Sequence, residues 1–184
     1  VGTVLLTIVI SVVLGRLFGF GWMFGVLTGG ATAICGASAA LAISAALPAN
    51  EKKERATLFT VIGVSALSTL AMILYPTIAR SLGLDPAAAG VFLGGTIHDV
   101  AQVVGAGYSM STETGDTATV VKLMRVAMLV PVIICVALIT RASRSASDVA
   151  KPPLLPGFAV AFIVLAAINS TGWLPPALPA LGSD

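Results

Sequence analysis

Long apolar runs without a charged side chain constrain the fold of this 184-residue chain more than any other feature. Residues 17–50, 57–79 and 154–178 are three such runs. A transmembrane helix needs roughly 20 consecutive, mostly apolar residues, and each run is longer than that. Only 10% of the residues are charged, whereas a soluble domain carries about 25%. The sequence therefore predicts a polytopic, all-α integral membrane protein.

The few charges and cysteines argue against several other classes. The net charge is only +2, and the charges cluster in short loops rather than in a basic stripe, so we expect no nucleic-acid partner. Cys35 and Cys135 lie in apolar segments without the spacing of a zinc site or a disulfide framework. We therefore expect neither a metal nor a cofactor.

The organisation predicted from the runs is a single transmembrane domain over residues 1–184. The chain begins inside an apolar run, without a methionine or the charged start of a signal peptide. We therefore expect a fragment of a longer fold that resembles a secondary transporter. The predicted spans cover, in chain order, residues 1–15, 22–47, 57–79, 87–107, 118–140 and 154–178.

Positive charges in the loops indicate that one of these segments does not cross the membrane. Lys and Arg mark cytoplasmic loops, and two short segments have them: Lys52, Lys53 and Arg55 in the first, and Arg141, Arg144 and Lys151 in the second. The spans 57–79 and 118–140 already return the chain to the same side. We therefore expect 87–107 to be broken or re-entrant, with its glycines at the bend and with protein or a water-filled cavity shielding it.

The single histidine of the chain lies next to an aspartate in this broken segment. An ionisable side chain is costly in lipid and usually faces a cavity, a partner or a substrate. His98 changes its charge near neutral pH, and Gln102 lies about one helical turn from both His98 and Asp99. We predict that His98, Asp99 and Gln102 couple transport to protons. The structural alternative is that His98 binds a carbonyl and Asp99 caps a half-helix.

Two cations lie further along the chain, on one face of a predicted helix. Lys122 and Arg125 are three residues apart, and the uncharged run that follows them is too short for a span. Either both cations are partly buried, or they snorkel to the membrane interface. A buried cation would balance an anionic substrate or pair with Asp99.

Two glycine-interrupted segments complete the predicted site. A helix that breaks within 29–40 or at Gly94-Gly95 would expose free N–H groups and the positive end of a helix dipole, which together bind anions. Paired interruptions of this kind are typical of secondary transporters. The alternative is close helix packing through small residues. With the two cations, the predicted anion-binding residues are Gly29, Gly30, Cys35, Gly36, Ser38, Gly94, Gly95, Thr96, Lys122 and Arg125.

Three sequence strings resemble a known family. The strings are AICGASA at 33–39, GTIHDVAQV at 95–103 and VKLMR at 121–125. Their order and spacing are similar to those of the YeiH family of candidate sulfate exporters, over nearly the whole chain. The resemblance implies a multi-pass transport protein of the bacterial or archaeal inner (plasma) membrane, with this chain as the middle of a longer protein. It favours an anion as substrate without identifying sulfate.

We therefore expect a secondary transporter of a small inorganic or organic anion, with sulfate export and proton coupling as the specific hypothesis. One alternative is a cation/proton antiporter in which Asp99 binds the ion. An intramembrane enzyme is disfavoured, because a catalytic zinc needs about three protein ligands and a Ser38 nucleophile would have only His98 as its base. A structural subunit is disfavoured by the cost of its ionisable residues. The expected partners are the lipid bilayer, the anion and, as one option, further copies in a homo-oligomer.

Overall fold

The computed structural model describes residues 2–48 and 51–142, and all regular structure in these ranges is helical. This confirms the predicted all-α class. The predicted span 154–178 lies outside the described residues. The helices of these ranges are α1 (Gly2–Leu17), α2 (Trp22–Ala33), α3 (Ala37–Ala46), α4 (Glu51–Ser81), α5 (Pro86–Thr96), α6 (Val100–Tyr108), α7 (Thr112–Ala127) and α8 (Leu129–Ala142).

Two helical segments, Glu51–Ser81 and Thr112–Thr140, are long and apolar enough to cross a membrane. Large apolar side chains of α4 point away from the protein, and Leu58, Ile62 and Leu67 are each at least 60% exposed. Water would disfavour a continuous surface of this kind, whereas the hydrocarbon of a bilayer accommodates it. The described structure is therefore that of a helical membrane protein.

The limits of these two segments differ from the predicted ones for local reasons. The charged residues 51–55, which we expected in a loop, form the start of α4, where Glu51 and Glu54 favour the positive end of the helix dipole. In the second segment the helix is interrupted at Met128, between α7 and α8. Pro131 explains the position of this interruption, because a proline ring clashes with the carbonyl four residues before it.

Residues 22–47, predicted as one span, form two half-helices instead. The chain leaves the helical path at 34–36, between α2 and α3. Gly36 adopts a φ of +69°, which glycine reaches without steric cost, and its N–H donates to the Ala31 carbonyl at 2.8 Å. This local hydrogen bond closes the turn and starts α3 in a new direction.

The two half-helices α2 and α3 then return toward the side from which the chain came. Near the start of α2, the Phe24 ring centroid lies 6.0 Å from that of Phe59 on α4. Near the end of α3, the Ser44 and Thr57 hydroxyl oxygens are 2.8 Å apart. Both outer ends therefore lie near the Glu51 end of α4, so the expectation of a single crossing over 22–47 was wrong. An apolar run of sufficient length permits a crossing, but a glycine at its centre also permits a turn.

A second hairpin, formed by α5 and α6, enters from the opposite end of α4. Arg80, near the end of α4, donates to the Ser109 carbonyl just beyond α6 at 3.0 Å. At the break, 97–99, the Asp99 N–H donates to Ser68 Oγ in the middle of α4 at 3.0 Å. The chain therefore enters and returns, as the loop charges and glycines of 87–107 predicted.

Helix α7 packs closely against the second hairpin. A Cβ added to Gly94 of α5 would lie 2.4 Å from the Ala118 carbonyl oxygen of α7, and one added to Gly107 of α6 would lie 2.8 Å from the Gly115 Cα. Small residues let the backbones approach in this way. The close packing brings the next turns of α7, which carry Lys122 and Arg125, to the tip of the hairpin.

Candidate functional site

The tips of the two hairpins meet beside the middle of α4. A Cβ built on Gly36 would lie 3.6 Å from the His98 carbonyl oxygen and 3.2 Å from Val64 Cγ1. We use the term hairpin junction for segments 34–36 and 97–99 together with Lys122 and Arg125. The junction brings two distant glycine-interrupted segments of the sequence into one place.

Arg125 connects the two hairpins through their backbones. Its Nε donates to the Ala33 carbonyl at 2.9 Å, and its Nη2 also donates to Ala33. Its Nη1 donates to the Gly95 carbonyl. These carbonyls lie at the C-terminal ends of α2 and α5, where helix carbonyls lack partners and carry partial negative charge. The forked guanidinium can serve both helix ends at once, because its donors point in several fixed directions.

Lys122 lies one turn before Arg125 and is completely buried, with 0% of its surface exposed. Its Nζ donates to the Ile97 carbonyl at 2.8 Å, directly after α5. The snorkelling alternative is therefore wrong for Lys122. Both cations bind backbone carbonyls at the junction, rather than the predicted partner Asp99.

Asp99 caps helix α6, which is the structural role considered for it. Its Oδ1 accepts a hydrogen bond from the Ala101 N–H at 2.9 Å, and a carboxylate is favoured at the positive end of a helix dipole. Ser68, whose Oγ accepts the hydrogen bond from the Asp99 N–H, is completely buried on α4. The cap and the serine together fix the second hairpin tip.

His98 is partly buried in the second tip, with its imidazole beside the Thr32 backbone of α2. Its Nδ1 atom is buried and has no hydrogen-bond partner among the described residues. Buried polar atoms are normally paired, so an unpaired one needs an explanation such as a ligand, a water or a further residue. Within the hairpin junction, His98 therefore has a buried side-chain nitrogen that lacks a hydrogen-bond partner among the described residues.

The N-terminus of α3 differs from that of α6, because its N-cap residue, Gly36, has no side chain that could accept from the first N–H groups. Cys35 is buried beside the Ala39 amide, and Ser38 in the first turn is exposed. Among the described residues no group of three or more His, Cys, Asp or Glu side chains could hold a metal ion. The first amides of α3, at Ala37 and Ser38, thus form the part of the junction where a helix N-terminus can offer hydrogen-bond donors to an anion.

Three of the predicted anion-binding glycines pack helices together instead. A Cβ would lie 2.7 Å from Ser11 Cβ at Gly29 and 2.1 Å from Ile43 Cδ1 at Gly30, and Gly94 meets α7 as described above. These positions follow the small-residue packing alternative. Gly95 differs from them because a Cβ there would meet nothing within 4 Å, and its carbonyl binds Arg125.

Two of the predicted polar residues have partners within or between helices. Thr96 Oγ1 donates to the Phe92 carbonyl of its own helix at 2.6 Å. Gln102 Nε2 donates to Thr69 Oγ1 on α4 at 3.0 Å, while its Oε1 is buried without a partner among the described residues. Gln102 therefore faces α4, one turn away from the tip.

The sequence interpretation missed the contribution of α4 to the junction. Ser68 holds the second tip, and Thr60, which is 2% exposed, has a hydroxyl without a partner in the described ranges. The signal was present as hydroxyl residues at positions 57, 60 and 68, which share one face of a run without charged residues. Such a stripe is typical of a helix that faces protein rather than lipid.

Comparisons with known proteins agree with the membrane assignment. The family model described as conserved hypothetical protein 698 matches residues 1–183. The UPF0324 membrane protein TauZ of Paracoccus denitrificans is 56% identical over 183 residues, which are 98% of this chain and 54% of the relative. A UPF0324 membrane protein of Chlorobaculum tepidum is 58% identical over 174 residues, which are 94% and 49% of the two chains.

More distant relatives show the same coverage. A UPF0324 membrane protein of Bordetella bronchiseptica is 42% identical over 182 residues, which are 95% of this chain and 55% of the relative. The chain thus spans about half the length of the curated relatives it matches. No solved structure matches the chain.

Proposed function

The chain belongs to the UPF0324 family of membrane proteins, and on this premise we propose that it forms part of a secondary transporter for a small anion. The family is the one that the YeiH-like strings indicated. Sulfate is the first substrate to test, and small oxyanions of similar charge are the next. The proposed location is the inner (plasma) membrane, with several crossings in the full-length protein.

The observation that carries the proposal is the charge of the hairpin junction. Two helix C-termini and two helix N-termini meet there, so their partial charges oppose one another. Among the junction side chains, Lys122 and Arg125 contribute two positive charges and Asp99 contributes one negative charge. The remaining positive charge lies at membrane depth, where a charge is costly unless something balances it. An anion bound at the uncapped α3 N-terminus would supply that balance.

Proton coupling is the second part of the proposal and involves His98 together with its neighbour Asp99. Its unpaired Nδ1 lies in the same tip as the Asp99 cap. Protonation of the imidazole would add a positive charge next to the bound anion and so favour anion binding. Anion and proton would then bind together on the more acidic side and be released together on the other side, so the direction of the pH gradient would set the direction of anion movement.

A flux measurement tests the proposal directly. The full-length protein in proteoliposomes is expected to carry radiolabelled sulfate in a saturable manner, and an imposed pH gradient is expected to change the rate. Lys122→Gln provides the variant, since glutamine keeps a polar side chain with N–H donors but carries no charge. We expect this variant to lose most of its flux while it remains folded.

Other outcomes separate the competing functions. Flux that depends on Na⁺ or protons and not on any anion would favour the cation/proton antiporter, with Asp99 as the ion-binding residue. Absence of anion flux from folded protein, for sulfate, sulfite and a small sulfonate, would contradict the anion proposal. We propose no enzymatic activity, and covalent labelling of Ser38 by a serine-directed probe would contradict that part.

A further inference from the structure

A groove distant from the hairpin junction lies between the start of α2 and the start of α4. Its volume is about 470 Å³, within the range of roughly 300–1,000 Å³ that small-molecule sites occupy. Three phenylalanines, Phe20, Phe24 and Phe59, and two cations, Lys52 and Arg55, contribute to its lining. The groove therefore combines an apolar wall with a positively charged rim.

The apolar wall is a continuous row of aromatic rings. The ring centroids of Phe20 and Phe24 are 4.6 Å apart, and those of Phe24 and Phe59 are 6.0 Å apart. Phe20 is 52% exposed and Phe59 is 67% exposed. An exposed aromatic row at the end of a membrane-spanning helix is suited to contact with an acyl chain near the membrane interface.

The charged rim comes from the first turns of α4. Lys52 and Arg55 are three residues apart and lie on one face of the helix. The acidic neighbours Glu51 and Glu54 are on α4 as well but do not line the groove. Both rim cations are exposed, and they belong to the segment that the positive-inside rule assigns to the cytoplasmic surface.

We propose that this groove is a binding site for an anionic phospholipid. The phosphate of the headgroup binds Lys52 and Arg55, and an acyl chain lies along Phe20, Phe24 and Phe59. Charge complementarity selects the occupant, because basic pockets between helices at the cytoplasmic face bind anionic headgroups. The site is separate from the anion transport site, and it places a lipid at the base of the first hairpin.

Native mass spectrometry of the delipidated, full-length protein tests the proposal. The protein is titrated with phosphatidylglycerol and with phosphatidylcholine of identical acyl chains. We expect preferential retention of phosphatidylglycerol. The double variant K52Q/R55Q is expected to lower that preference by up to roughly 30-fold, because each cation near the surface contributes to anionic lipid binding. Arg80→Gln is the matched control, since Arg80 is an exposed cation at the other end of α4.

A spectroscopic measurement on the unmodified groove locates the lipid independently. Trp22 begins α2 beside the groove, and with Trp173 and any further tryptophan of the full-length protein replaced by Phe it reports on lipid at this position. Brominated phosphatidylglycerol is expected to quench Trp22 more strongly than brominated phosphatidylcholine. Equal quenching by both lipids would overturn the proposal.

Two further outcomes distinguish other occupants. Displacement of the bound lipid by millimolar inorganic phosphate would identify a free-phosphate site and would contradict a lipid site. Loss of the lipid preference in Arg80→Gln, with its retention in K52Q/R55Q, would place lipid binding elsewhere. None of these outcomes depends on sulfate flux, so the lipid site and the transport function are tested separately.

Discussion

At the scale of single residues, Arg125 joins three separate parts of the chain. It belongs to α7, and its guanidinium donates to Ala33 of α2 and to Gly95 of α5. A lysine ammonium is a compact charge and cannot reach both helix ends with the geometry of a fork. The residue thus stabilises the hairpin junction through its shape as well as through its charge.

A substitution series at Arg125 tests this role. We expect Arg125→Met to lower the free energy of unfolding by at least about 1–3 kcal/mol, because it leaves buried carbonyls without a donor. Arg125→Lys is expected to recover only part of the loss. Thermal unfolding in detergent measures both, with Arg80→Lys as the control, since Arg80 is exposed and donates to one carbonyl. Equal stability of Arg125→Lys and the unsubstituted protein would contradict the bridging role.

Asp99 allows its structural role to be separated from its proposed proton coupling. Asparagine caps a helix about as well as aspartate, whereas alanine at an N-cap costs about 1 kcal/mol. We therefore expect Asp99→Asn to keep its melting temperature and to lose the pH dependence of flux. Asp99→Ala is expected to lose both.

Measuring flux and melting temperature on the same preparation of each variant separates the two roles of Asp99. If Asp99→Asn carries sulfate with an unaltered pH profile, Asp99 is only a cap. His98→Ala is then the remaining test of proton coupling, because it removes the imidazole with its unpaired Nδ1 without touching the α6 cap.

At the scale of secondary-structure elements, the first hairpin depends on a backbone conformation that only glycine adopts easily. Gly36 combines a φ of +69° with a Cβ position 3.2 Å from Val64 Cγ1. Its ψ is −128°, and an L-residue held in such a sparsely populated region pays about 1–3 kcal/mol. The turn at 34–36 therefore depends on glycine at position 36.

Paired glycine substitutions test the hairpin. Gly36→Ala is expected to reduce stability by roughly 1–3 kcal/mol. Gly63→Ala on α4 is the matched control, since nothing lies within 4 Å of its added Cβ, and alanine in a helix interior is expected to stabilise by about 0.5–1 kcal/mol. Opposite shifts of the melting temperature would support the turn, and an equal gain at both positions would argue against it.

At the scale of the whole molecule, the two hairpins enter from opposite ends of α4 and meet near its middle. This arrangement puts both outer ends of α5–α6 at the same end of α4. It also places four helix ends, two cations and one carboxylate at a single depth. Secondary transporters use broken helices of this kind to hold substrates near the midplane.

Cysteine labelling in intact cells tests the return of the second hairpin. Leu82 lies between α4 and α5, and Thr112 begins α7 after α6. In a full-length background with Cys35, Cys135 and any further cysteine replaced by Ser, we expect Leu82→Cys and Thr112→Cys to react with a membrane-impermeant maleimide from the same side. Labelling from opposite sides would mean that α5–α6 crosses the membrane.

Several features of the fold and of the site could be predicted from the sequence. The long uncharged runs predicted the helical membrane class, because hydrophobic length along one segment is a property of that segment alone. The charges and glycines of 87–107 predicted a break, and His98, Asp99, Lys122 and Arg125 were recognised as unusual. Each of these inferences follows from the free-energy cost of placing one residue type in lipid, which does not depend on tertiary contacts.

The tertiary structure alone decided what those residues contact. It showed that 22–47 turns back, that Lys122 and Arg125 bind helix carbonyls instead of Asp99, and that Gly29, Gly30 and Gly94 pack helices. The roles of a buried cation or a glycine depend on which surface lies opposite, and in this fold those surfaces come from distant parts of the chain. The sequence by itself determined which residues are costly in a membrane, and the packing of the two hairpins determined how their charges and backbone groups are satisfied.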